Sequence, residues 1–151
     1  MTQFDAVCFD LDGTLCRSDQ SLAEIHRETF ERAGVEQFVS PEDVRAVPDD
    51  EVATAESAVE FYRNLFEAAV SRLADDPDSE DAPNPDEETL WALGEAAADV
   101  VDSRAVSWRE GAETALEHAR ERYPVGLVTN GGEETQTAKL AQLGLTDAFD
   151  V

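Results

Sequence analysis

The sequence predicts an α/β protein in which a parallel sheet is interrupted by an all-helical insertion. Two short apolar runs, at residues 7–9 and 125–128, each lead into a glycine turn, which is typical of buried strands that end at a loop. The long stretch between them has apolar residues at helical spacing. A further helical pattern, from Ala112 to Ala119, precedes the second run, as expected for a parallel βαβ unit.

The first apolar run ends in Asp10 and Asp12, and the chain then turns at Gly13. Because alternate residues of an extended strand point to the same side, about 6.5–7 Å apart, both carboxylates can face one site at the carboxyl end of the strand. A divalent cation between them would lower the cost of bringing the two charges together. The pattern predicts a catalytic acid pair, and the alternative is a solvated Asp-x-Asp sequence at a strand-to-turn junction.

Hydrophobic residues followed by Asp-x-Asp-Gly-Thr-Leu, here Asp10 to Leu15, resemble the first motif of the haloacid dehalogenase superfamily. Most members are Mg²⁺-dependent phosphohydrolases that work through an aspartyl-phosphate. The resemblance implies that Asp10 attacks phosphorus, that Asp12 acts as acid and then as base, and that both belong to a Mg²⁺ site, to which Asp12 contributes its backbone carbonyl. Dehalogenases of the superfamily replace the second aspartate, so Asp12 favours phosphoryl chemistry over carbon–halogen chemistry.

The second apolar run is followed by Thr129, Asn130 and Gly131, and this sequence resembles the second motif of the superfamily. A hydroxyl and backbone N–H groups at a helix N-terminus form an anion site, because unpaired donors and the helix dipole both point at the ligand. We therefore expect these three residues to bind the phosphoryl group of a small phosphorylated substrate. Thr-Asn-Gly-Gly alone is also a plain turn after a strand, and its pairing with Asp10 favours the functional interpretation.

The resemblance implies a Rossmann-like core, residues 1–16 and 107–151, that lacks its C-terminal part, and a helical cap, residues 17–106, that closes over the site and selects the substrate. Start signals and apolar spacing predict four helices within the cap, from Leu22 to Gly34, after Ser40, along a stripe from Val52 to Leu73, and after Asn84. Asp75 to Pro83 is a polar break, which we interpret as a solvated loop. Aromatic residues are expected to pack the cap and its hinge, namely Phe61, Tyr62, Phe66, Trp91 and Trp108.

Members of the superfamily also carry a lysine and a second acidic pair, which come beyond the end of this sequence. Lys139 is expected to lie roughly 13–15 Å along the next helix and away from the site, so a surface position is favoured over a catalytic role. Glu133 and Glu134 could replace the missing metal ligands, or simply occupy the first turn of a helix. Phe149 resembles the opening of another strand. The first strand would keep an open edge, so we expect a fragment of a longer protein or self-association through that edge.

The composition is strongly acidic, with 35 Asp and Glu against 11 Lys and Arg and a formal net charge of −24. With a single lysine, it resembles proteins of salt-accumulating halophiles, in which about molar salt shortens the Debye length to about 3 Å. We expect the protein to need high salt, and the charge disfavours nucleic acid as a partner. No apolar run approaches the roughly 18 residues of a membrane span, and no signal peptide is apparent. A soluble cytoplasmic protein with reduced Cys8 and Cys16 is predicted.

The function predicted from these residues is Mg²⁺-dependent hydrolysis of a small phosphate ester. Two alternatives stay open: a 2-haloacid dehalogenase, and a catalytically incomplete fragment or module that only binds phosphate or Mg²⁺. His26 and His118 lie on predicted helices without a metal-ligand partner at suitable spacing, so they are expected to be surface residues or to have satisfied hydrogen bonds.

Overall fold

A computed structural model describes residues 5–76 and 82–150. The chain divides into two compact units, a core unit (Met1–Gln20 with Asp102–Val151) and a helical unit (Ser21–Val101). In chain order the elements are β1 (Val7–Phe9), β2 (Cys16–Ser18), α1 (Leu22–Ala33), α2 (Pro41–Arg45), the 3₁₀ helix Asp49–Glu51, α3 (Ala58–Ala74), α4 (Glu87–Val100), β3 (Val106–Trp108), α5 (Ala112–Arg120), β4 (Val125–Leu127) and α6 (Glu133–Leu143).

The core unit contains a parallel pair of strands, β1 and β4, with Val7 opposite Val125 and Phe9 opposite Leu127. The Val128 N–H continues this pairing by donating to the Phe9 carbonyl over 2.8 Å. Within the described residues β1 pairs with no strand other than β4. The loops that follow the two strands therefore leave the sheet side by side, at the carboxyl ends of the strands.

The predicted strand at Phe149 is not formed within the described residues, although Asp150 bonds to β4. Its N–H donates to the Val125 carbonyl and its carboxylate accepts the Val125 N–H, each over 2.8 Å. A second pair of strands, β2 and β3, was not predicted. It runs antiparallel with Cys16 opposite Trp108, and both strands belong to the core unit.

An apolar cluster lies beneath the parallel strands and holds the loop that follows β1. Leu11 and Leu15 are fully buried in this cluster together with Val125 and Leu116. Since burial of a leucine side chain stabilises a fold by about 1.5–3 kcal/mol, two leucines within five residues fix the loop firmly to the core. The polar residues between these leucines are left at the surface.

The helical unit is built on helix caps and one apolar cluster. Ser21, Ser40, Ser57 and Asp86 each accept the backbone N–H three residues later, as N-caps do. Close packing of α3 on α4 depends on Gly94, where a Cβ would lie 2.5 Å from the Val59 carbonyl oxygen.

Two predicted helix starts come too early in the sequence. The apolar spacing predicts a helix from Val52, but α3 begins at Ala58, because Ser57 accepts the Glu60 N–H over 3.1 Å and sets the start. Helix α4 is likewise capped by Asp86 and not by Asn84. Of the polar break at Asp75 to Pro83, residues 77–81 lie outside the described residues.

The prediction for the aromatic residues holds only in part. Phe66 is buried and Tyr62 partly buried, whereas Phe61 and Trp91 are exposed, and Trp91 lies beneath the Arg63 guanidinium at 5.8 Å. His26 is buried rather than exposed, and its Nε2 has no partner among the described residues. None of the described helices combines the length and the apolar character that a membrane span requires.

Candidate active site

The loop after β1 is closed by its own backbone hydrogen bonds. The Leu11 carbonyl accepts the N–H groups of Thr14, Leu15 and Cys16 at 3.3, 2.9 and 3.1 Å. Gly13 adopts a left-handed conformation with φ of 76°, and its N–H donates to the Cys16 carbonyl over 2.9 Å. A residue with a side chain would be strained at that φ, so the glycine of the motif is required for the turn.

Asp10 is the first polar residue after β1, and its exposed side chain is oriented by this loop. One carboxylate oxygen accepts the Leu11 N–H over 2.8 Å, and the other accepts the Thr14 hydroxyl over 3.4 Å. These are neutral donors, and the carboxylate stays open to solvent. A ligand or a cation can therefore reach it.

Asp12 has a different environment, because donors from α6 surround its carboxylate. Lys139 Nζ lies 2.7 and 2.8 Å from the two oxygens, and Gln136 Nε2 donates to Oδ2 over 3.0 Å. The Cys16 thiol lies 3.8 Å from Oδ1. Both oxygens of Asp12 are thus engaged by side chains, in contrast to Asp10.

The expectation that Lys139 points away from the site is wrong. The predicted distance of roughly 13–15 Å assumes a helix that starts directly after Thr129, but α6 begins only at Glu133, so Lys139 lies about 9 Å along its axis. Gln136 and Lys139 are three residues apart and share one face of the helix. That face lies against the loop after β1, and the ammonium group reaches back to Asp12.

These contacts decide the charge of the neighbouring groups. Burial alone would raise the pKa of Asp12, but the hydrogen bonds from Lys139 and Gln136 and the charge of Lys139 outweigh it, so the pKa lies below its usual value of 3.8. Burial, followed by the charge of Asp12, raises the pKa of the Cys16 thiol to about 11. At neutral pH Asp12 is a carboxylate, and Cys16 keeps its proton and can donate it in a hydrogen bond.

The second motif follows β4, beside the end of β1. The Thr129 hydroxyl accepts the Gly131 N–H over 3.4 Å, which folds the turn before α6. A Cβ at Gly131 would lie 1.6 Å from Gln136 Nε2. The missing side chain of Gly131 therefore leaves the space through which Gln136 reaches Asp12, and this contact joins the two motifs.

Two arginines beside the loop were not singled out from the sequence. The Arg109 side chain donates to the Gly13 carbonyl, and its backbone N–H donates to the Leu15 carbonyl over 2.9 Å. Together with Arg17 it lines an open pocket of about 500 Å³, whose remaining walls are Gly13, Trp108 and Glu110. Only the tertiary structure could reveal this pocket, because its walls come from segments about 90 residues apart in the sequence.

The donors present suit a hard cation such as Mg²⁺. Among the described residues no group of three or more His, Cys, Asp or Glu side chains could hold a metal ion. Mg²⁺, however, is usually bound by one or two carboxylates, with water and substrate phosphate as its other ligands. Asp10 offers an accessible carboxylate for this purpose, while Glu133 and Glu134 are exposed in the first turn of α6.

Comparison with known proteins gives the family. A model of the haloacid dehalogenase-like hydrolases matches residues 4–151, which is nearly the whole sequence. The chain belongs to this family of hydrolases. No curated protein matches the chain.

Solved structures of the family share the fold. A predicted phosphoglycolate phosphatase from Haemophilus somnus matches with a TM-score of 0.64 at 19% identity, over 99% of this chain and 62% of that one. A candidate β-phosphoglucomutase from Thermotoga maritima matches at 0.60 and 23%, over 98% and 60%. The candidate HAD-hydrolase YfnB from Bacillus subtilis, solved with bound magnesium, matches at 0.58 and 16%, over 99% and 64%. They confirm the predicted α/β fold, and the chain spans 60–64% of their length.

Proposed function

We propose that this hydrolase is a Mg²⁺-dependent phosphatase that cleaves a small phosphate ester through an aspartyl-phosphate on Asp10. One arrangement carries the proposal: Asp10 lies accessible on a glycine-turned loop at the end of β1, beside the loop of Thr129. A nucleophile and an anion-binding turn are thus brought together by two adjacent parallel strands. The family and the phosphatase described among the similar structures support this chemistry.

In the first half of the reaction an Asp10 oxygen attacks phosphorus, and the bond from phosphorus to the ester oxygen breaks. The departing oxygen takes a proton from Asp12 in the minor form of the enzyme in which this carboxyl group is protonated, and Asp12 is left as a carboxylate. In the second half a water molecule gives a proton to Asp12 and attacks phosphorus, which releases inorganic phosphate and restores Asp10. The Thr129 hydroxyl, with Asn130 and Gly131, holds the phosphoryl oxygens throughout.

Asp10 and Asp12 are the residues that would hold Mg²⁺ in this site. When bound, the cation offsets the repulsion between the Asp10 carboxylate and a phosphate dianion. The role of the helical unit as a cap that selects the substrate is also part of the proposal.

Positive charge near the loop supports an anionic substrate. A chain with a net charge of −24 repels phosphate esters, so binding needs cations at the site. Three of the eleven basic residues lie there: Lys139 contacts Asp12, Arg109 contacts Gly13, and Arg17 lines the same pocket as Arg109. Basic side chains thus gather around this loop, where they offset the negative charges of Asp10, Asp12 and Glu110.

The second candidate is a module that binds phosphate or Mg²⁺ without turnover. A binding module and a phosphatase differ in turnover, which Asp10 controls.

The test is Mg²⁺-dependent hydrolysis of p-nitrophenyl phosphate in about 2 M KCl by wild type and Asp10→Asn. The matched control is Asp147→Asn, which makes the same change at an exposed position of the core unit. We expect Asp10→Asn to lose turnover and to unfold at the wild-type temperature, and the control to keep both. Equal turnover in wild type and Asp10→Asn would contradict the proposal, and a folded wild type without turnover would favour the binding module.

The acidic composition carries a second, separate proposal. We infer that the protein works in concentrated salt, because screening at about molar ionic strength removes most of the repulsion within a chain of net charge −24. This proposal is tested below by the salt dependence of unfolding.

A further inference from the structure

The Asp12 carboxylate is held by two donors from a single helix. Lys139 contacts both oxygens at 2.7 and 2.8 Å, and Gln136 donates to one of them over 3.0 Å. The two residues are three positions apart on α6, so both side chains extend from the same face of the helix. A carboxylate held in this way cannot rotate freely, although the Asp12 side chain remains 47% exposed to solvent.

The two donors are themselves constrained by their surroundings. The Lys139 side chain is only 15% exposed, which is low for a lysine, and its ammonium group is directed at Asp12. Gln136 is 5% exposed and its Oε1 has no partner among the described residues, so the bond to Asp12 sets the orientation of the amide. Gly131 leaves room for this amide, as shown above.

We propose that Gln136 and Lys139 are positioning residues, together the α6 clamp, that fix the direction of the Asp12 carboxylate for its part in catalysis. This inference rests on the proposed phosphatase function. Neither residue has to touch the substrate, because each acts through Asp12. The clamp supports the second half of the reaction above all, in which Asp12 must be a carboxylate directed at the attacking water.

This role predicts a specific kinetic defect. With p-nitrophenyl phosphate the leaving group departs without a proton, so the first half of the reaction proceeds without help from Asp12. Hydrolysis of the aspartyl-phosphate still needs a positioned base, and general base catalysis contributes about 10²–10⁴-fold. Loss of the clamp should therefore slow the second half alone, and phosphorylated Asp10 should accumulate.

The variants are Lys139→Met, which removes the charge at similar length, and Gln136→Met, which removes the amide donor. Lys139→Arg keeps a cationic donor, and Gln142→Met is the control at an exposed position of the same helix. We expect Lys139→Met to lower kcat at least about tenfold while kcat/KM stays within about threefold of wild type, because kcat/KM reports only the first half of the reaction. Acid quenching and peptide mass spectrometry should then find more phosphorylated Asp10, and Lys139→Arg should regain part of kcat.

Other kinetic outcomes would overturn the clamp. A raised KM with unchanged kcat would mean that Lys139 binds the substrate directly. Loss of kcat without accumulation of phosphorylated Asp10 would mean that Lys139 serves the first half of the reaction. Wild-type kinetics in both methionine variants would mean that neither Gln136 nor Lys139 has a role in turnover.

One measurement is independent of turnover. Because Lys139 is the only lysine in the sequence, incorporation of ¹³C,¹⁵N-lysine gives NMR signals from this side chain alone. We expect the Lys139 Cε and Nζ signals to shift in Asp12→Asn and to stay in place in Asp147→Asn. Unchanged signals in Asp12→Asn would overturn the clamp even if the protein were active. A shift of the signals in a protein without turnover would show that Lys139 contacts Asp12 although the proposed phosphatase function is wrong.

Discussion

The core unit and the helical unit differ sharply in charge. Residues 21–101 carry 22 acidic and 5 basic residues, a net charge of −17, whereas residues 1–20 and 102–151 carry 13 acidic and 6 basic residues, a net charge of −7. The core unit also places three of its basic side chains around the loop after β1. The unit that carries the candidate phosphate site is thus the less acidic one.

The two units also differ in what holds them together. The helical unit is organised by an aromatic cluster, in which Phe30 packs against Phe38 and Phe66 with ring centroids 5.3 and 5.7 Å apart. The loop of the core unit is anchored by Leu11 and Leu15, and its polar side chains make contacts with residues distant in sequence, such as that of Asp12 with Lys139. Apolar packing should therefore govern stability in the first unit, and polar contacts should govern activity in the second.

The largest expected effect is the loss of the aromatic cluster. Phe30 is 1% exposed, so Phe30→Ala should lower the free energy of unfolding by about 3–5 kcal/mol, since it removes buried apolar surface and leaves a cavity. Urea unfolding in about 2 M KCl measures this change. The control is Leu22→Ala on the same helix, where the side chain is 38% exposed. Equal costs for both variants would show that packing does not hold this unit together.

Salt should have the next largest effect, through the charge of the helical unit. We expect the Tm to fall by several degrees or more between about 2 M and 0.1 M KCl, because the Debye length grows from under 3 Å to about 10 Å. Calorimetry at a series of salt concentrations measures this change. A Tm that is unchanged or higher in dilute salt would contradict the proposed adaptation to concentrated salt.

A matched pair of charge reversals separates the two units. Glu95 and Glu117 are both exposed in the middle of a helix, and each precedes another acidic residue by four positions. Glu95→Lys should raise the Tm at low salt more than Glu117→Lys, because it relieves repulsion in the more acidic unit. A larger Tm increase in Glu117→Lys than in Glu95→Lys would show that charge repulsion is not stronger in the helical unit.

The sequence predicted local features well and long-range contacts poorly. Caps and apolar spacing gave α1, α2, α5 and α6, while the start of α3 was misplaced because Val52 and Ala55 match the helical spacing but precede the Ser57 cap. The β2–β3 pair was missed because two strands of three residues, 90 positions apart, leave no periodic signal. The Asp12–Lys139 contact was missed because it depends on the direction in which α6 leaves the turn, which spacing along the chain does not encode.

The smallest expected effect concerns His26, a polar residue within the apolar cluster of the helical unit. Burial lowers the pKa of His26 below its usual 6.5, against smaller opposing effects of a hydrogen bond with the Val39 backbone and of the charge of Glu42. Above pH 6.5 the ring is neutral in the folded and the unfolded chain, and stability does not depend on it. Between pH 6.5 and the lower folded pKa, the unfolded chain binds the additional proton, so stability falls as the pH falls.

Replacement of His26 should remove this dependence. We expect the Tm difference between wild type and His26→Leu to change across this pH range, with wild type losing more as the pH falls. His118→Leu is the control, because His118 is exposed and its ring is not subject to the same burial. Parallel pH profiles for wild type and His26→Leu would mean that the buried ring takes up its proton as readily in the folded chain as in the unfolded one. The aromatic cluster would then tolerate a charge. The contrast between the apolar interior of the helical unit and the polar side chains of the core loop would lose its clearest support.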